Sequence, residues 1–166
     1  CVPDVMNDLG ILSLEVQRMP KDPKITFGHP ANYPYLSVAT PSSHDTSTVR
    51  GWWEENPALS QRFYNEILGN SFSSPFFCEP YIVKQIIVQH LYSPSMWAIF
   101  AIQDLLGMDG NLRLQDAGAE RINNPGNPNH YWRYRMHLSI EDLLEQTWFN
   151  QMLRDELKAA GRMEIY

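Results

Sequence analysis

Apolar residues at Val2, Val5, Met6 and Leu9 fall at the i, i+3, i+4, i+7 spacing of one helix face. Gly10 is placed to end that helix in the left-handed conformation that a residue without Cβ adopts freely. The run from Ile11 to Val16 reads as a short strand, stopped at Pro20, and the Pro- and Gly-rich stretch from Lys21 to Pro34 reads as loop. A second strand is predicted over Tyr35 to Thr40, ended by Pro41-Ser42-Ser43. Pro57 to Leu68 carries a helical pattern up to Gly69, Asn70 to Phe77 is loop, and Tyr81 to Leu91 is a strongly apolar helix. Ser95 to Ile102 is apolar without alternation, the pattern of a strand buried on both faces. A long Gly-, Asn- and Pro-rich loop follows from Asp104 to Asn129. The last predicted helix runs from Ser139 to Ala160, opened by a capping-box-like Ser139-Ile140-Glu141-Asp142 and closed by Gly161.

Strands that alternate with helices predict an α/β fold on a parallel sheet. Three strands are too few to stand alone, because a parallel sheet so small leaves unpaired edges. A complete (β/α)8 barrel takes eight strands and roughly 250 residues. The pattern therefore predicts the C-terminal part of such a barrel, about its last three βα units. On this reading residues 1–166 are one portion of a longer barrel, with upstream strands missing. A chain that opens on Cys1, with a helix already in progress, fits that expectation.

Composition narrows the function classes. With 43% hydrophobic and 19% charged residues, the chain has the make-up of a globular protein rather than a disordered tail. The net charge of −6, from 19 acidic and 13 basic residues without a Lys/Arg cluster, argues against nucleic acid or an anionic membrane as partner. The longest apolar runs, such as Trp97 to Ile102, are too short to span a bilayer, and the first residues show no signal-peptide pattern. Cys1 and Cys78 are expected to be reduced thiols in a cytoplasmic protein. His29, His90, His130 and His137 lack metal-ligand spacing, and neither a Gly-rich phosphate loop nor a nucleophile elbow occurs.

Three signals could carry chemistry. Thr40-Pro41-Ser42-Ser43-His44-Asp45-Thr46 sets a His and an Asp just past the C-terminal end of a strand, the edge where parallel α/β folds build their sites. The same residues could instead serve structure, with Asp45 capping a following helix and His44 packed beneath it. Trp52-Trp53, Trp97 and Tyr131-Trp132-Arg133-Tyr134 could stack on the flat faces of sugar rings, although core packing is the commoner use of Trp. Glu120-Arg121-Ile122-Asn123-Asn124-Pro125-Gly126 could bind hydroxyl groups or simply form a turn. Glu15, inside the first strand rather than at its end, is expected to be structural.

Taken in order, these stretches resemble glycoside hydrolase family 77, the 4-α-glucanotransferases. Ser43-His44-Asp45-Thr46-Ser47-Thr48 with Arg50-Gly51-Trp52-Trp53-Glu54 resembles the family's motif around its third catalytic carboxylate. Trp97-Ala98-Ile99-Phe100 with Gln103-Asp104-Leu105-Leu106-Gly107 resembles its eighth barrel strand and the loop that follows. Glu120 to Gly126, then Tyr131 to Arg135, resembles the loop that closes over the donor site. Gln17-Arg18-Met19-Pro20, Ser95-Met96-Trp97 and His130 to Arg135 look more like the maltose-using enzymes of plant cytosol and some bacteria.

The resemblance implies a retaining, two-step transfer from maltose or a maltooligosaccharide to a branched glucan acceptor, with glucose released and no cofactor. It assigns Asp45 as the transition-state stabiliser, and His44, Asn123 and Asp104 as substrate-binding residues. It also implies that the nucleophile and the acid/base lie on the fourth and fifth strands, upstream of Cys1. The remainder of the same barrel would be the chain's structural partner, and these 166 residues alone would be inactive. A non-catalytic chain that binds glucan or completes a barrel is the alternative.

Overall fold

The computed structural model describes residues 2–163. Three parallel strands, β1 (Ser13–Val16), β2 (Ser37–Thr40) and β3 (Trp97–Ala98), form one sheet in the order β1-β2-β3. Ser13 pairs with Ser37 and Val16 with Thr40, while Val38 pairs with Trp97 and Ala39 with Ala98. The central strand suits its place. Ser37 and Ala39 are wholly buried, and small side chains let the helical layer approach the sheet closely.

Helix α1 (Val2–Asp8) precedes the sheet, and Gly10 closes it at φ 63°. Three helices connect β2 to β3: α2 (Val49–Glu55), α3 (Pro57–Glu66) and α4 (Pro80–Leu91). Asn56 separates the first two, and its side chain accepts from Leu59 N at 3.1 Å while Pro57 takes the first helical position, where no N–H is needed. After β3 come α5 (Ile102–Leu106), a 3-10 turn at Ala117–Glu120, α6 (Ile140–Glu145) and α7 (Thr147–Ala159). The core lies between these helices: Trp53 and Phe63 meet Ile82, Val83, Ile86 and Ile87 of α4, Leu106 of α5 and Phe149 of α7. Arg162 ties the chain's far end to the turn before β3, donating to the carbonyls of Leu91, Ser93 and Ser95 at 2.5 to 2.9 Å.

The structure departs from the sequence pattern in four places. The third strand is two residues long rather than Ser95 to Ile102, and it is not buried on both faces: Trp97 and Ile99 are more than half exposed. Among the described residues β3 pairs along one edge only, and Ala101 already caps the start of α5. The predicted long loop from Asp104 contains part of α5 and the 3-10 turn. The last predicted helix breaks at Gln146, whose ψ of 63° is not helical, although the Ser139–Asp142 capping box forms as expected. Finally, α2 went unpredicted, because seven residues offer too few turns for an apolar period to register. Cys78 is buried, and burial pushes its thiol well above the usual range, whereas Cys1 lies outside the described residues.

His90 in α4 is fully buried beside Tyr33 and Phe100. Its Nδ1 lies 2.8 Å from the Ile86 carbonyl, which can only accept, so the neutral ring carries its proton there. Burial pulls its pKa down to about 4. The unfolded chain therefore takes up the proton first as pH falls, and stability present above about 6.5 is lost on the way to about 4. Denaturant titrations should show His90 contributing about 3 kcal/mol of this acid destabilisation, and His90→Gln should flatten that part of the pH profile.

Candidate active site

Residues 41–48 form the loop that β2 delivers at the C-terminal end of the sheet, and α2 begins immediately after it. Local hydrogen bonds set its shape. Thr46 N donates to the Ser43 carbonyl at 3.1 Å, Ser43 N donates to Thr46 Oγ1 at 3.0 Å, and Thr48 Oγ1 caps α2 by accepting from Gly51 N at 3.2 Å. Thr48 thus performs the capping role open to Asp45 from sequence, which leaves Asp45 free of it.

Two ions of opposite sign, Asp104 buried and Arg18 partly buried, hold this loop. Asp104, 1% exposed in α5, accepts from Ser42 Oγ before the His–Asp pair and from Val49 N, at 2.8 Å, after it. Arg18, just beyond β1, donates to Thr46 Oγ1 at 2.9 Å, to the Thr48 carbonyl at 3.1 Å and to the Ser47 carbonyl. Its guanidinium also lies 5.6 Å from the centre of the Trp52 ring. Burial pulls Arg18 down to about 10, against the opposing pull of Asp104 and Glu55, so it stays charged at neutral pH. Desolvation pushes Asp104 up, while Ser42, Val49 N and Arg18 hold it down.

On this mount His44 and Asp45 stand open to solvent, their side chains 53% and 56% exposed. Asp45 Oδ2 lies 3.2 Å from His44 Nε2, and Asp45 Oδ1 accepts from Asn123 Nδ2 at 2.9 Å. Asn123 reaches across 78 residues of sequence to do so. The Trp132 ring, 60% exposed, lies 5.0 Å from the His44 ring at a tilt of 46°. Trp132, Arg133, Tyr134 and Arg135 line an open hollow of about 580 Å³. The cluster combines a solvent-facing carboxylate, an imidazole, an amide and exposed aromatic planes, the donor, acceptor and stacking groups that a sugar ring can use.

Of the four residues expected from sequence, His44, Asp45 and Asn123 come together. Asp104 does not join them: both its oxygens are engaged beneath the loop, where it braces the site instead of facing it. Arg18 belongs to the Gln17-Arg18-Met19-Pro20 stretch, but nothing local in the sequence signals that its side chain reaches residues 46–48. Trp132 was in view, but the usual use of Trp in cores outweighed it. Trp53 does sit in the core, 1% exposed, with its Nε1 donating to the Pro75 carbonyl at 2.9 Å. Glu15 accepts from Ser13 Oγ at 2.6 Å and from Lys21 Nζ, apart from the His44–Asp45–Asn123 cluster.

A family model described as 4-alpha-glucanotransferase matches residues 1–140. The chain belongs to glycoside hydrolase family 77. It is 41% identical over 162 residues to the rice (Oryza sativa subsp. japonica) 4-alpha-glucanotransferase DPE2, covering 98% of this chain and 17% of that protein. A 4-alpha-glucanotransferase from Chlamydia trachomatis is 31% identical over 163 residues, covering 88% of this chain and 30% of that one. An amylomaltase from Streptococcus agalactiae, solved in complex with acarbose, superposes with a TM-score of 0.68 at 18% identity, over 98% of this chain and 30% of that chain. That likeness shows a shared fold. The chain thus spans less than a third of the length of the family 77 relatives it matches. None of the described helices is long and apolar enough to cross a membrane.

The brace beneath the loop can be tested by removing one donor. Ser42→Ala leaves the Asp104 carboxylate with Val49 N alone, an expected loss of about 1–3 kcal/mol at neutral pH in denaturant unfolding. Asp104 already has a raised pKa in the folded state, and the variant raises it further. The folded protein then holds the proton more tightly than the unfolded chain, so the deficit should shrink as pH falls and Asp104 is protonated.

Proposed function

We propose that the protein carrying this chain is a retaining 4-α-glucanotransferase in which Asp45 stabilises the transition state of glucosyl transfer. The observation that carries the reading is the His44–Asp45–Asn123 cluster, exposed at the C-terminal end of the central parallel strand. Asp45 keeps its oxygens as acceptors, each matched by a side-chain donor that a sugar hydroxyl can replace. As the anomeric carbon gains positive charge, the ring hydroxyls become better donors, and a carboxylate bound to them stabilises that state more than the ground state. His44 and Asn123 orient Asp45 and bind the same sugar. Trp132, over His44, offers a stacking plane at its edge.

The nucleophile that takes the glucosyl unit, and the acid/base that protonates the leaving oxygen and then deprotonates the acceptor hydroxyl, are assigned to strands outside these 166 residues. The chain is then the C-terminal part of a (β/α)8 barrel, inactive by itself. The sheet supports this reading, since β1 and β3 each have a strand partner on one side only among the described residues. Maltose as donor, glucose as released product, a branched glucan as acceptor and a cytoplasmic setting are the subgroup reading. It rests on Gln17-Arg18-Met19-Pro20 and His130 to Arg135, and on the identity to the rice relative across nearly the whole chain.

Asp45→Asn in the full-length protein should lower glucose release from maltose by about 10²–10³-fold or more, with circular dichroism and melting temperature unchanged. A variant that releases glucose at the parental rate would remove Asp45 from the mechanism.

A further inference from the structure

Asn123 sits on a segment with little regular structure, yet it must meet Asp45 to within hydrogen-bonding tolerance. The nearest anchor upstream is Glu120, the last residue of the 3-10 turn, whose side chain is 2% exposed. One carboxylate oxygen pairs with the Arg50 guanidinium in α2, itself 5% exposed. The other accepts from Thr48 Oγ1 at 3.1 Å, at the last residue of the catalytic loop. The Glu120 backbone carbonyl accepts from buried Gln103 Nε2 at 3.2 Å. Arg50 continues along the same segment, donating to the Leu114 carbonyl at 2.8 Å. Beyond Glu120, Arg121 Nε donates to the Asn123 carbonyl at 2.9 Å and its guanidinium lies 3.6 Å from Glu55 at the end of α2.

A buried ion pair costs several kcal/mol per ion in desolvation, so its presence here calls for a role beyond filling space. Burial pushes Glu120 up while Arg50 pulls it down, and the pair is fixed by hydrogen bonds on both sides. Thr48 and Arg50 flank the junction between the catalytic loop and α2. Glu120 and Asn123 lie three residues apart on the facing segment. The geometry points to the Arg50–Glu120 pair as the positioning element that registers Asn123 on Asp45, so that the two halves of the sugar site, far apart in sequence, move as one body. This rests on the transferase reading of Asp45 and Asn123. It adds that the register of their contact is set by an ion pair that touches no substrate.

The test is a double-mutant cycle in the full-length protein, with glucose release from maltose as readout and rates normalised to folded protein. Glu120→Gln keeps the shape but offers one acceptor oxygen in place of two, and it removes the charge opposite Arg50. In the parent background it should cost about ten- to a hundredfold in kcat, with KM for maltose little changed. In an Asn123→Ala background the same substitution should cost less than twofold, because the contact it positions is already gone. Arg50→Lys, which keeps a cation opposite Glu120 but gives up the guanidinium's bond to the Leu114 carbonyl, should give a smaller loss that also disappears beside Asn123→Ala. It carries the test if Glu120→Gln does not fold. Equal losses in both backgrounds, or a parental rate for Glu120→Gln or for Asn123→Ala, would overturn the inference. If Asp45→Asn also kept the parental rate, the assignment of Asp45 to the transfer step would fail, whereas additivity beside an inactive Asp45→Asn protein removes only the positioning role.

Discussion

The site depends on a carboxylate that never reaches it. Asp104 is buried in α5, and a carboxylate there survives only if its oxygens are hydrogen-bonded. Its two partners, Ser42 Oγ and Val49 N, lie on either side of His44 and Asp45. Satisfying the buried charge therefore fixes both ends of the loop at once. Arg18 does the complementary work from the other side, spending three donors on Thr46, Ser47 and Thr48. The loop is held by charge-assisted bonds to its backbone and hydroxyls rather than by apolar packing. The His44 and Asp45 side chains are left free to face solvent.

This explains why the loop is short and rich in hydroxyl groups. Ser42, Ser43, Thr46 and Thr48 each bond to the loop itself or to one of its anchors, and Ser47 Oγ bonds to Glu55 at the end of α2. Side-chain hydroxyls satisfy backbone groups locally and reach the anchors as well. The Arg50–Glu120 pair extends the same logic to the facing segment, where a second irregular stretch is fastened by buried charge.

How far this was legible from sequence differs between elements for physical reasons. β2 and its Pro41 stop, the apolar helix α4 and the Ser139–Asp142 cap were readable because each is a local pattern. The strand at Trp97 was read too long. Its apolar run has no stop signal, but the ladder to β2 covers only Trp97 and Ala98, and by Ala101 the chain is already turning into α5. His44, Asp45 and Asn123 could be singled out because a recognisable motif surrounds each. Asp104 lay in a motif as well, but sequence cannot say whether a carboxylate faces a cleft or closes a hydrogen-bond bracket beneath it. Arg18 and Glu120 act through contacts 28 to 72 residues away, and no local spacing encodes such a contact.

The exposed apolar residues give the last step. Leu14 in β1, Trp97 in β3 and neighbouring Ile99 are each more than half exposed, and so are Val2, Val5 and Leu9 around α1. Burying a large apolar side chain is worth about 1.5–3 kcal/mol, so these positions hold back a sizeable share of the stability the sequence could supply. They cluster at the two ends of the strand order and on the helix that precedes it. In the proposed barrel, further strands beside β1 and β3 would cover them. Parallel strands share one C-terminal end, so the same additions would bring the nucleophile and the acid/base to the edge where Asp45 already stands. Asp45 would not have to move, because its loop is anchored to Arg18, Asp104 and Glu120, all within this chain. On this reading the chain builds one wall of the sugar site in finished form and leaves its apolar faces for the rest of the barrel to close.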